Sequence, residues 1–93
     1  MRGVGFVMYK QQCVVKCESG LHNKQVTYFV QKANEFKSSI WLEVDSRKMN
    51  AKSLLGIMSL GVVSGTNVTL MADGADEKEA VEALSDLLQR DIF

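Results

Sequence analysis

The chain has 93 residues, about 0.6 of a typical ~150-residue domain, so it is expected to form one domain. Lys plus Arg number 11 and Asp plus Glu 11, for a net charge of +0, which argues against the basic footprint of a nucleic-acid binder or a polybasic membrane protein. A hydrophobic fraction of 46% with 24% charged residues is that of a folded globular chain rather than a disordered one. A chain this small buries roughly 60–65% of its unfolded surface, which leaves no room for a deep cleft. Such shallow proteins bind, carry or regulate more readily than they house a complete active site.

The opening run Met1-Arg2-Gly3-Val4-Gly5-Phe6-Val7-Met8 has one basic residue and too short an apolar stretch for a secretory signal. The most apolar segment, Leu54 to Val63, is about half the ~20 residues a membrane span needs. The expected location is cytoplasmic. Residues 7–17 read as a strand rich in Val, with Tyr9, Cys13 and Cys17. On a strand the two cysteines share one face roughly 13 Å apart. A disulfide needs Cα atoms within about 7 Å, so both thiols are expected to be free. One His does not complete a zinc set with them, and no metal site is expected.

Glu18-Ser19-Gly20 breaks the strand. From Asn23 the period changes: Val26, Phe29, Val30, Ala33 and Phe36 fall on one face of a helix predicted to end near Lys37. Ile40, Leu42 and Val44 then alternate inward on a half-buried strand. Asp45-Ser46-Arg47 reads as a tight turn and Lys48-Met49-Asn50 as a short return strand. Trp41 reads as a sheet-face or packing residue. Ser53 stands directly before Leu54-Leu55-Gly56-Ile57-Met58-Ser59-Leu60, an N-cap signal, and Gly61 is a stop signal. Thr66 to Ala72 alternates again, with Val68, Leu70 and Ala72 on one face. Asp73-Gly74 is turn chemistry. Asp76 and Glu79 match a D-x-x-E variant of the capping box. The stripe Ala80, Val81, Leu84, Leu87 and Leu88 carries the last helix to about residue 90.

The predicted order is β-α-β-β-α-β-α. It defines an α+β two-layer architecture, a four-stranded, largely antiparallel sheet with two or three helices covering one face. No internal repeat, linker or low-complexity tract interrupts it.

There is no Gly-rich phosphate loop and no Ser/His/Asp order that the spacing supports. His22 is the residue with chemistry in reach. It follows Ser19-Gly20-Leu21 and comes directly before the first helix, beside the free N–H groups of its first turn. An imidazole there can take a phosphoryl group, with the Asn23 and Lys24 amides on the phosphate oxygens and the Lys24 ammonium adding charge. By spacing alone, a lone histidine before a helix is more often a solvated turn residue. Ser53 needs no role beyond its cap. Leu54, Leu55, Ile57 and Met58 outnumber what one side of a two-turn helix can bury. At least two of them, Leu54 and Met58 first, are expected to form an exposed partner-binding patch with the first helix, with Thr27 and Lys24 near its edge.

Three segments carry a family resemblance: Ser19-Gly20-Leu21-His22, Lys52-Ser53-Leu54-Leu55-Gly56-Ile57-Met58-Ser59-Leu60-Gly61, and Gly74-Ala75-Asp76-Glu77. Over about residues 13 to 90 the chain resembles HPr, the histidine-containing phosphocarrier of the bacterial sugar phosphotransferase system. The resemblance implies an open-faced sandwich in the order read above, and a single domain over 1–93 with residues 1–7 as an N-terminal extension. It implies that His22 accepts phosphate from enzyme I and passes it to enzyme II components, with no cofactor. It also implies regulatory phosphorylation of Ser53 by an ATP-dependent kinase/phosphorylase, read in carbon catabolite control by a LacI-type regulator.

The chain departs from the family after the histidine. The usual run is Ala-Arg-Pro-Ala; here it is Asn23-Lys24-Gln25-Val26. Arg holds phosphate oxygens bidentately where Lys offers a point charge. Pro pre-sets the first turn of a helix and Gln does not. Asp45-Ser46-Arg47 also lacks the family's usual turn glycine. Three readings follow: a phosphocarrier acting through His22; a regulatory HPr paralogue acting through phospho-Ser53 with His22 vestigial; and a plain α+β interaction domain.

Overall fold

The structure, a computed structural model, describes residues 9–16 and 23–90. His22, Cys17 and the extension 1–7 lie outside the described residues. The elements are β1 (Tyr9–Val14), α1 (Asn23–Ala33), β2 (Ser39–Val44), β3 (Arg47–Asn50), α2 (Leu54–Ser59), β4 (Asn67–Asp73) and α3 (Glu77–Leu88). The strands form one sheet in the order β1-β4-β2-β3, antiparallel at every pairing. This is the α+β architecture with three helices that the periodicities predict.

Alternation places the core. Cys13 pairs with Val68, Leu70 with Leu42, and Ala72 with Ile40, and all six are buried under the helices. From the helical side come Val26, Phe29 and Ala33 of α1, Ile57 of α2, and Ala80, Val81, Leu84, Leu87 and Leu88 of α3, each at most 3% exposed. The opposite sheet face carries Trp41 and its register neighbour Met71. There the Lys48 ammonium lies 5.2 Å from the Trp41 ring centroid, a cation–π contact. Met71 is buried although it lies outside the main core cluster, a position that the alternation of its strand assigns to the polar face.

Several boundaries differ from the sequence reading. The β1 ladder stops at Val14 rather than at residue 17. Val15 and Lys16 instead bond to Thr66, Gly65 and Leu88 of the loops and helix beyond the sheet. The first helix ends at Ala33, four residues before Lys37. Asn34 Nδ2 bonds back to the Val30 carbonyl, and the next two amides make three-residue turn bonds to Lys32 and Ala33. Groups that would continue the helix have tertiary partners: Lys52 Nζ takes the Phe36 carbonyl at 2.6 Å, and Asp76 takes the Lys37 and Ser38 amides. The β2–β3 turn is tighter than expected, with Arg47 already paired to Val44. Asp45 (φ 50°) and Ser46 (φ 69°) form a two-residue turn of the kind that matches sheet twist, without the glycine such turns prefer. The last strand begins at Asn67 and the last helix ends at Leu88, each within two residues of the expectation.

The predicted capping box is a further correction. The Asp76 carboxylate makes no cap bond to α3. It accepts from Lys37 N and Ser38 N, both at 2.9 Å, and from Ser38 Oγ at 2.5 Å, tying the α1–β2 connection to the start of α3. Glu77 closes the turn instead, its Oε1 accepting from Gly74 N at 3.1 Å. The Ser38 hydroxyl, followed by the Lys37 amide, holds the Asp76 carboxyl down to about 2. The ionised form is favoured in the fold, so Asp76 adds stability above the ordinary aspartate range of about 4 and loses it as pH falls through about 2. Asp76→Asn should therefore lower the melting temperature by several degrees at pH 7. The gap to the parent should close between about pH 4 and pH 2 in a pH series of thermal melts; a gap independent of pH would contradict this account.

Cys13 is free and buried. Burial pushes its thiol above the ordinary range, a shift the hydrogen bond with Ser85 partly offsets. A protonated, buried thiol is a packing group rather than a nucleophile.

Candidate functional site

Ser53 is the N-cap of α2. Its backbone is extended (φ −103°, ψ 114°), and its Oγ accepts from Gly56 N at 3.1 Å. The segment before it is anchored at several points. Ser53 N bonds to the Asn50 carbonyl and Lys52 N to Asn50 Oδ1, while Asn34 Nδ2 reaches the Lys52 carbonyl at 3.5 Å. At the other end of α2 the Arg47 guanidinium donates to the carbonyls of Ser59 and Leu60, at 3.4 and 3.1 Å. Those carbonyls have no partner within the helix, and a cation among them is favourable. The hydroxyl is thus presented on a short helix held at both ends by β3, α1 and the loop between β3 and α2.

Of the four apolar side chains on α2 only Ile57 is core, at 0% exposure; Leu54 is 42%, Met58 46% and Leu55 80% exposed. Leu55 is thus more exposed than the two residues the sequence puts first. α1 packs against α2 and adds Tyr28, 44% exposed, with the exposed Lys24 and Thr27. Lys24, Thr27, Tyr28 and Gln31 line a shallow open hollow of about 550 Å³. Tyr28 was not singled out in the sequence. Its only signal there is a place off the Val26–Phe29–Ala33 stripe. Asn23 opens α1, which puts its amide and that of Lys24 in the first turn, where N–H groups lack intrahelical partners. Among the described residues, Lys24 and Thr27 lie on α1, and Ser53, Leu54, Leu55 and Met58 lie at the start of α2 or on it, and the two helices are in contact. The predicted acceptor, His22, directly precedes α1 and lies outside the described residues.

Among the described residues, no three His, Cys, Asp or Glu side chains cluster as metal ligands, and no helix is long and apolar enough to cross a membrane.

Residues 9–90 match the family PTS-HPr, described as the PTS HPr component phosphorylation site. The chain is 46% identical over 85 residues to the HPr-like protein Crh of Bacillus subtilis, covering 91% of this chain and all of that one. Among solved structures it superposes on the phosphocarrier protein HPr from Bacillus anthracis with a TM-score of 0.89 at 38% identity, over 90% of this chain and 100% of that one. HPr-C-His from Thermoanaerobacter tengcongensis gives a TM-score of 0.84 at 49% identity, over 87% and 91%. The chain belongs to the HPr family.

Proposed function

We propose that this chain is an HPr-type phosphocarrier of the phosphoenolpyruvate-dependent sugar phosphotransferase system. In this reading enzyme I phosphorylates His22, enzyme II components receive the group, and phosphorylation of Ser53 regulates the traffic. The observation that carries it is the joint placement of Ser53 and of Leu54, Leu55 and Met58 on α2, beside the α1 residues that follow His22. The exposed side chains supply a docking face. The first-turn amides of Asn23 and Lys24, with the Lys24 ammonium, supply oxygen partners for a phosphate on the imidazole. Catalysis belongs to the partner enzymes, since a carrier of this kind needs only to present and hold the group.

A second reading has specific support. The chain matches the full length of the HPr-like protein Crh, and its run Asn23-Lys24-Gln25 departs from Ala-Arg-Pro. In that case Ser53 is the working site, phosphorylated by a kinase/phosphorylase and read by a LacI-type regulator, and His22 is vestigial. A cytoplasmic location accompanies either reading.

One experiment separates them. Incubation with phosphoenolpyruvate and enzyme I should add one acid-labile phosphate by intact mass, and His22→Ala should abolish it. Ser53→Asp should leave the melting temperature within a few degrees, because Asp is also a good cap, and should slow the transfer by placing charge on the docking face. No acid-labile phosphate on the parent chain, with acid-stable phosphate on Ser53 from a kinase and ATP, would replace the first reading with the second.

A further inference from the structure

Gly56 sits inside α2, where an ordinary residue would serve the helix better. It is absent from the positive-φ glycines, which are Gly61, Gly65 and Gly74 among the described residues, so its backbone does not require glycine. Glycine within a helix is less favourable than alanine. What distinguishes the position is its neighbour. A Cβ there would lie 3.2 Å from Ser53 Oγ, 3.4 Å from Ser53 Cβ and 3.6 Å from Met49 Cβ. The last two are ordinary contacts. The first presses a methyl group against the one atom of Ser53 that carries chemistry.

Resting on the reading of Ser53 as a modified residue, we infer that Gly56 is the specificity determinant that leaves the Ser53 hydroxyl room to be phosphorylated. In the modification a kinase transfers the γ-phosphoryl group of a nucleoside triphosphate. The bond from the γ-phosphorus to the diphosphate oxygen breaks, a phosphorus–Oγ bond forms, and the hydroxyl proton passes to a base of the kinase. The new phosphorus and its three oxygens are built outward from the oxygen that a side chain at position 56 would touch. A methyl group that the free hydroxyl tolerates thus removes part of the space its phosphate ester needs. Because the glycine N–H already donates to Ser53 Oγ, the two residues meet without an intervening side chain.

The test uses four full-length chains: parent and Gly56→Ala, each with serine or genetically encoded phosphoserine at position 53. Without phosphate, Gly56→Ala should melt within about 3 °C of the parent. Phosphoserine should lower the melting temperature by at least about 5 °C more in the Gly56→Ala chain than in the parent. An HPr-type serine kinase with ATP should show kcat/KM at least about tenfold lower on Gly56→Ala. Equal effects of phosphoserine in the two backgrounds would overturn the inference. So would a large loss of stability, or failure to fold, in unphosphorylated Gly56→Ala, because the glycine would then serve the cap alone. If the phosphoserine difference is found while the kinase leaves the parent unmodified, the clearance at Gly56 stands and the reading of Ser53 as a regulatory site falls.

Discussion

Gly74→Ala should lower the melting temperature by about 10–20 °C. Gly74 has φ +157° and lies where the end of β4 passes Ser38, a residue 1% exposed. A Cβ at position 74 would stand 2.5 Å from Ser38 Oγ and 2.7 Å from Ser38 Cα. The hydroxyl can rotate away, at the cost of its bond to Asp76, but the Cα is backbone and cannot. Overpacking of this kind costs roughly 1–3 kcal/mol, and a strained backbone conformation about 1–3 kcal/mol more. At ~4–8 °C per kcal/mol for a domain of this size, the low end of that sum, ~2–3 kcal/mol, gives the stated shift. Gly65→Ala is the control. Gly65 has φ +90° with nothing within 4 Å of a built Cβ, so it reports backbone strain without collision and should cost less than half as much. Thermal unfolding followed by circular dichroism measures both. A shift below about 3 °C for Gly74→Ala would show that the α1–β2 connection yields to the added methyl.

Leu55→Glu should weaken binding to enzyme I by about 30- to 100-fold and leave stability nearly unchanged. Leu55 is 80% exposed, so the fold gains little from it. A carboxylate there would be desolvated beside the exposed Leu54 and Met58 of the same helix when a partner covers the face. The expected penalty is that of losing a strong interface residue, ~2–3 kcal/mol. Ile57→Ala two positions on should behave in the opposite way. It empties a fully buried site, costs ~2–4 kcal/mol of stability, and touches the partner only through the helix it loosens. Calorimetric titration of enzyme I with Leu55→Glu, beside its melting curve, decides the matter. An unchanged affinity would remove α2 from the docking face.

Much of this molecule was legible in its residues. Alternation located β2 and β4 and a period of 3.6 located α1 and α3, while Val richness, a turn and cap signals marked β1, β3 and α2. Ser53 and Gly61 bracketed α2, because a cap hydroxyl and a glycine at φ +60° are local requirements that a few residues state on their own. The family followed from the string around Ser53. The exposed apolar face of α2 was readable only as a surplus, four apolar side chains on a helix too short to bury them. Which of the four is core depended on how α2 lies on α1 and the sheet, and the answer was Ile57 alone.

Other features have no local signature. Asp76 stands where a capping residue belongs, and nothing nearby tells that its carboxylate turns to Ser38, 38 positions away in sequence. Arg47 follows a turn, yet it closes the end of α2. Lys52 takes the carbonyl of Phe36 and so helps to end α1 three residues before its apolar stripe does. Periodicity and caps are properties of short segments, set by backbone geometry and by which face meets water. The partners of Asp76, Arg47 and Lys52 were decided by the antiparallel closure of the sheet, which brings distant backbone groups within a hydrogen bond of charged side chains and leaves those groups nothing nearer to bond.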